Sequence, residues 1–182
     1  MFSLAIPTIL PLLSLALALP LEPRDDPKFT INSLSATFPY PGVYGKPTVN
    51  SFVNIAVAYP DPSSTSGATL NTTCSVSWPE GTAPGPTAWT PCGDSALQLR
   101  LPTEGWTSTT NFEVELWETT TTDGAGLDAT QILTSGPSDP NGQMFCIQMG
   151  KFNPLTCTLT GPYGSTPRTV VMDATEETSQ PN

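Results

Sequence analysis

Glu113 and Glu115 stand two residues apart in the run from Asn111 to Glu118, and Trp117 follows two residues later. On an extended strand these three side chains share a face, with the two acids ~6.5–7 Å apart. Glycosidases hold their carboxylate pairs at comparable separations, and a tryptophan beside two acids suits a sugar ring. The opposing interpretation is a solvated strand face behind Phe112, Val114 and Leu116. Acids exposed in that way keep ordinary pKa values, and neither then serves as the proton donor. The solvated face is the preferred expectation. A weaker variant keeps Trp117 as an exposed platform for a sugar or a protein.

Other chemistry is thin. The chain has no histidine, so it offers no Ser-His-Asp or Cys-His nucleophile and no imidazole metal ligand. The run Asp123 to Asp128 (DGAGLD) lacks the alternating acids and distal Glu of a calcium loop, and is expected to be a Gly-rich hairpin turn. There is no phosphate-cradling Gly-rich loop and no nucleophile elbow. No catalytic residue, cofactor or metal is therefore expected, and the chain is expected not to be an enzyme. Six Lys and Arg stand against 16 Asp and Glu, a formal charge of −10. Such a chain cannot neutralise a run of phosphates, and an anionic membrane surface would repel it, so neither nucleic acid nor membrane is an expected partner.

The four cysteines are spaced Cys74-x17-Cys92 and Cys146-x10-Cys157. Four cysteines allow three pairings. Each nearest-neighbour pair lies at the edges of adjacent strand candidates, so Cys74–Cys92 and Cys146–Cys157 are the expected bridges. A zinc site would want a C-x2-C step or histidines, and neither is present.

Two disulfides imply an oxidising compartment, and the N-terminus agrees. Residues Leu4 to Leu19 are almost continuously apolar, and the chain turns polar from Glu22. Ala16 and Ala18 give an A-x-A cleavage pattern, so 1–18 is expected to be a signal peptide and the protein secreted and extracellular. Pro7 and Pro11 interrupt the run, which argues against a membrane anchor. Residues 19–28 form a Pro-rich, charged leader, 29–175 the folded domain, and 176–182 a polar tail. Asn71-Thr72-Thr73 is a glycosylation sequon, making Asn71 a candidate acceptor.

The elements that must position these residues are strands. Period-2 alternation marks 29–31, 51–59, 70–78, 97–101, 112–116, 130–134, 144–149, 155–159 and 169–172, with turn clusters between them. The window 107–122 is free of Gly and Pro, but its apolar residues sit two apart, so it is expected to be a strand. With 21 Pro and 14 Gly, the expected fold class is all-β: a compact antiparallel barrel or sandwich of about nine to eleven short strands stapled by two disulfides. Trp78 shares a face with Cys74 and Val76 and belongs in the core. Trp89 is expected to cover the first bridge, and Trp106 to sit in a turn.

Thr73-Cys74-Ser75, leading to Trp89-x-x-Cys92-Gly93-Asp94-x-Ala96 and a later local cysteine pair, resembles the Alternaria major allergen family of small fungal secreted proteins. The similarity spans roughly residues 29–175. It implies a compact antiparallel β-barrel with two internal disulfides, and assigns Cys74, Cys92, Cys146 and Cys157 structural roles only. It also implies an extracellular effector, elicitor or allergen acting through its surface on a protein partner, a host defence protein, and a small phenolic ligand. The family's protomer-linking cysteine has no counterpart here, since no cysteine lies between 19 and 73. No disulfide-linked dimer is expected. The alternative function is a wall-binding carbohydrate module or small carbohydrate-active protein centred on Glu113, Glu115 and Trp117. A third is an inert wall component.

Overall fold

The computed structural model describes residues 26–39, 50–64, 66–79, 85–93, 96–136, 141–150 and 153–182. The proposed signal peptide, most of the leader, and parts of the turns at 39–42, 79–87 and 135–142 lie outside the described residues.

Eleven strands lie among the described residues, most of them built on alternating apolar positions: β1 (Lys28–Phe38), β2 (Ser51–Pro60), β3 (Thr69–Trp78), β4 (Thr90–Pro91), β5 (Leu97–Arg100), β6 (Asn111–Thr119), β7 (Gly126–Thr134), β8 (Phe145–Gln148), β9 (Leu155–Thr158), β10 (Val170–Asp173) and β11 (Thr175–Glu177). The one helical element described is a single 3-10 turn, Pro162–Gly164. The strands form two antiparallel sheets. One has the order β3-β2-β1-β9-β8, with β10 also paired to β1, and the other β11-β7-β6-β5-β4. They do not close into a barrel, so the architecture is a sandwich, within the all-β expectation.

β1 runs well past the three residues that alternation marked. Its buried positions are Phe29 and Ile31, then Leu34, Ala36 and Phe38. The register against β2 shifts between Ile31 and Ser33. A bulge adds one residue and reverses which parity faces the core, so a period-2 scan stops there. The long strand pairs β10 through its first half and β9 through its second. At the other end of the sequence the chain passes from β10 in one sheet to β11 in the other at Ala174, so residues 176 and 177 are strand rather than tail.

The core lies between the sheets. Ile31, Val53, Ile55, Val57 and Val76 face Leu97, Leu99, Phe112, Val114 and Leu116. One end is closed by aromatic rings from both sheets and a loop. Trp106 stacks on Phe112 at 5.4 Å between centroids, and Phe38 meets Trp78, Trp106 and Phe112 at 5.8–6.1 Å in tilted or edge-on contacts. Such geometries satisfy the ring quadrupoles as well as burying area.

Both expected disulfides are present, Cys74–Cys92 and Cys146–Cys157. Their mechanical roles differ. Cys146 lies directly opposite Cys157 in the β8–β9 ladder, so this bridge links neighbouring strands of one sheet. Cys74 is in β3, at the edge of the first sheet, whereas Cys92 follows β4, at the edge of the second. That bridge ties one sheet to the other, and the Gly93 N–H adds a 2.9 Å bond to the Thr73 carbonyl.

Candidate functional site

β6 is central in its sheet, and its register fixes what stands beside each outward residue. Arg100 of β5 is opposite Glu115, and Thr130 of β7 is opposite it on the other side. Gln98 and Asp128 flank Trp117, and Thr175 of β11 is opposite Asp128. Glu113, Glu115 and Trp117 do share the outer face, as their spacing implied.

That face is not solvated, which corrects the expectation for it. Glu115 is 4% exposed and Trp117 only 1%. The Arg100 guanidinium grips the Glu115 carboxylate with two bonds, Nε at 2.6 Å and Nη2 at 2.8 Å. The paired fork geometry makes this one of the stronger classes of protein ion pair. Trp89 has its ring 4.4 Å from the Arg100 guanidinium carbon, a cation–π stack. Its Nε1–H donates a 2.9 Å bond to the Pro181 carbonyl, and Arg100 Nη1 reaches the same oxygen at 3.4 Å.

These bonds trace the cover. β11 ends at Glu177, paired with Gly126 at the far side of β7. From there to β5 is three strand spacings, ~14 Å. The four residues from Glu177 to Pro181 reach about that far only when nearly extended. Segment 178–182 therefore crosses the outer face as a strap over Trp117 and the Arg100–Glu115 pair. Trp117 is held from below as well. Its Nε1–H bonds Thr119 Oγ1 at 3.1 Å, and its ring lies over Gly126, where a Cβ would stand 2.6 Å from it. Trp117 is thus a roofed packing residue, not the exposed platform considered for it.

The remaining acids feel this burial. Asp128, half-buried, has its carboxyl pushed up to about 6, first by desolvation, then by the Glu115 charge and a hydrogen bond to Glu115, with Arg100 opposing and Glu177 adding to the rise. Glu113 is also raised, by desolvation first and then by Glu115 and Glu104. The expectation of ordinary acidity on this face fails for Glu113, against which Gly105 packs closely. In its protonated form Asp128 can donate to Glu115, beside the Arg100 charge.

This leads to a pH dependence. A carboxyl whose folded pKa lies above its unfolded value near 3.8 contributes stability that is fully present below that value. The contribution is lost as pH rises through about 6. Allowing for solvent screening at a half-exposed group, the loss is about 1 kcal/mol. Asp128→Asn keeps a donor for Glu115, and should flatten the stability profile between pH 4 and 7 in urea titrations. An unchanged slope would place the proton elsewhere.

Arg100 and Pro181 were not singled out from the sequence, and Asp128 was read only as the end of a Gly-rich turn. Arg100 was the discoverable one, since it is one of only six cations and lies in an alternating run. Asn71 is exposed on β3, as a glycan acceptor must be, and its strand is the sheet edge. Among the described residues no group of three or more Cys, Asp or Glu side chains is placed to hold a metal ion. The chain matches no known protein family, no curated protein and no solved structure.

Proposed function

We propose that this chain is an exported, non-enzymatic binding protein that works outside the cell through its surface, in the manner of an effector or elicitor, on a protein partner of opposite charge. The carrying observation is the state of the acid pair. Glu115 is buried and committed to Arg100 by two bonds, and Trp117 beside it is covered. A glycosidase carboxylate must reach a sugar, and this one reaches an arginine. The resemblance to the Alternaria major allergen family supports the biological role, the two disulfides fit an oxidising compartment, and the charge of −10 favours a basic partner.

The test is binding of the purified, oxidised protein to extracellular plant fluid proteins across a salt series. Capture of a basic protein that falls steeply between 50 and 500 mM NaCl is the expected result. A salt-insensitive complex would remove the electrostatic part of the proposal. Hydrolysis of glucan or chitin that disappears in Glu115→Gln would overturn the non-enzymatic part.

A further inference from the structure

Segment 178–182 is held through its main chain. Its specific bonds run to a main-chain carbonyl, that of Pro181, from Trp89 and Arg100. Any extended peptide presents such a carbonyl. The residue before a proline is itself biased toward extended backbone, and proline-containing segments arrive with little conformational entropy left to lose, the basis on which aromatic grooves recognise them. The donors are fixed beforehand: Trp89 is stacked on Arg100, and Arg100 is locked to Glu115.

The fit is incomplete. Gln180 Nε2 and Asp128 Oδ1 are both buried without a hydrogen-bond partner. A donor on the occupant and an acceptor on the face are left unmet, and unmet buried polar groups cost stability that a permanent fold element would not be expected to forgo. The face is also acidic. Glu113, Glu115 and Asp128 point outward from β6 and β7, and Glu177 flanks them on β11. Arg100 on β5 is the cation engaged with them.

We propose that this face is a recognition groove for an extended peptide in which a hydrogen-bond-donating side chain, preferably cationic, precedes a proline, and that residues 178–182 are its exchangeable resident occupant. The proposal stands on the strap and its contacts alone and does not depend on where the protein acts. The resident segment keeps Trp117 dry and the groove closed until a better-matched peptide displaces it.

The full-length protein, isotope-labelled, is titrated with a synthetic peptide of residues 175–182 and with the same peptide carrying Gln180→Lys. Because a tethered segment competes at millimolar effective concentration, the titration runs to ~10 mM. Displacement sharpens the protein's own 178–182 resonances and shifts the Trp89 indole N–H along the same saturation curve, and the Gln180→Lys peptide reaches half-saturation at several-fold lower concentration. A Pro181→Gly peptide competes more weakly. In the protein, Trp89→Phe keeps the stack on Arg100 and removes the donor, so amide exchange in 178–182 rises several-fold while exchange in β6 is unchanged. The proposal is overturned if neither peptide moves the strap or the Trp89 signal, if the Pro181→Gly peptide competes equally, or if Trp89→Phe loosens β6 and the strap together.

Discussion

Arg100→Met lowers folding stability by about 4 kcal/mol at pH 7, because it leaves the Glu115 charge buried with no compensating partner. The loss arises from what remains rather than from the bond removed. Glu115 is 4% exposed on a face roofed by the strap, and Asp128 beside it is a second carboxylate. Without the guanidinium the two acids can keep their places only by holding a proton between them, so the variant should recover part of its stability at pH 5. The Arg100 guanidinium also stacks on Trp89, a contact that the methionine thioether replaces in part. Adding Glu115→Leu to Arg100→Met removes the stranded charge and should restore much of the loss, since apolar replacements of buried pairs are often near neutral. Urea unfolding of the single and double variants measures this. Equal destabilisation in both would mean that the pair's charge is not what matters, only its packing.

Replacing Cys74 and Cys92 together with alanine is expected to cost about 3 kcal/mol by the chain-entropy argument for a loop of this length. The 18-residue separation alone would give that figure for any bridge. What sets this one apart is its place between the sheets. Beside it, the Gly93 N–H bonds the Thr73 carbonyl between the same two edges. Loss of the tie should therefore raise amide exchange along β3, β4 and β5 selectively. Loss of Cys146–Cys157, within one ladder, should raise it only in β8 and β9. Chemical denaturation gives the first quantity and hydrogen exchange the second. Indistinguishable exchange patterns for the two variants would show that the inter-sheet bridge has no special mechanical role.

The fold was legible wherever alternation was unbroken. β2, β3 and β5 follow their apolar pattern almost residue for residue, because one face of each meets the core. Legibility ended where a local event shifted the phase. The bulge after Ile31 hid most of β1. In the run Asp123 to Asp128, only the part through Ala125 is turn, and the strand begins at Gly126, where Leu127 and Ala129 already face the core. β4 and β11 are too short and too polar to carry a period.

The acid face was half legible. Spacing put Glu113, Glu115 and Trp117 on one side of β6, and they are there. Their environment depended on long-range facts that no local pattern encodes. The register of β5 on β6 is set across the ten-residue connection 101–110, and it alone brings Arg100 to Glu115. The strap is a polar segment, Thr178 to Asn182, with no periodic signature of its own. A better warning was present in composition. Trp117 on the face opposite Phe112, Val114 and Leu116 puts a large apolar ring on the outer side of β6 as well, which suits a strand covered on both faces.

The outer face is closed, with Trp89 and Trp117 engaged and Glu115 committed to Arg100. Indole N–H exchange by NMR on the full-length protein tests it most directly. A closed face protects both the Trp89 and Trp117 indole protons, and the Trp89 proton loses its protection when Pro181 is displaced. Free exchange at both, together with a Trp117 shift on adding a glucan or chitin oligosaccharide, would contradict it and return the acid pair to a sugar site.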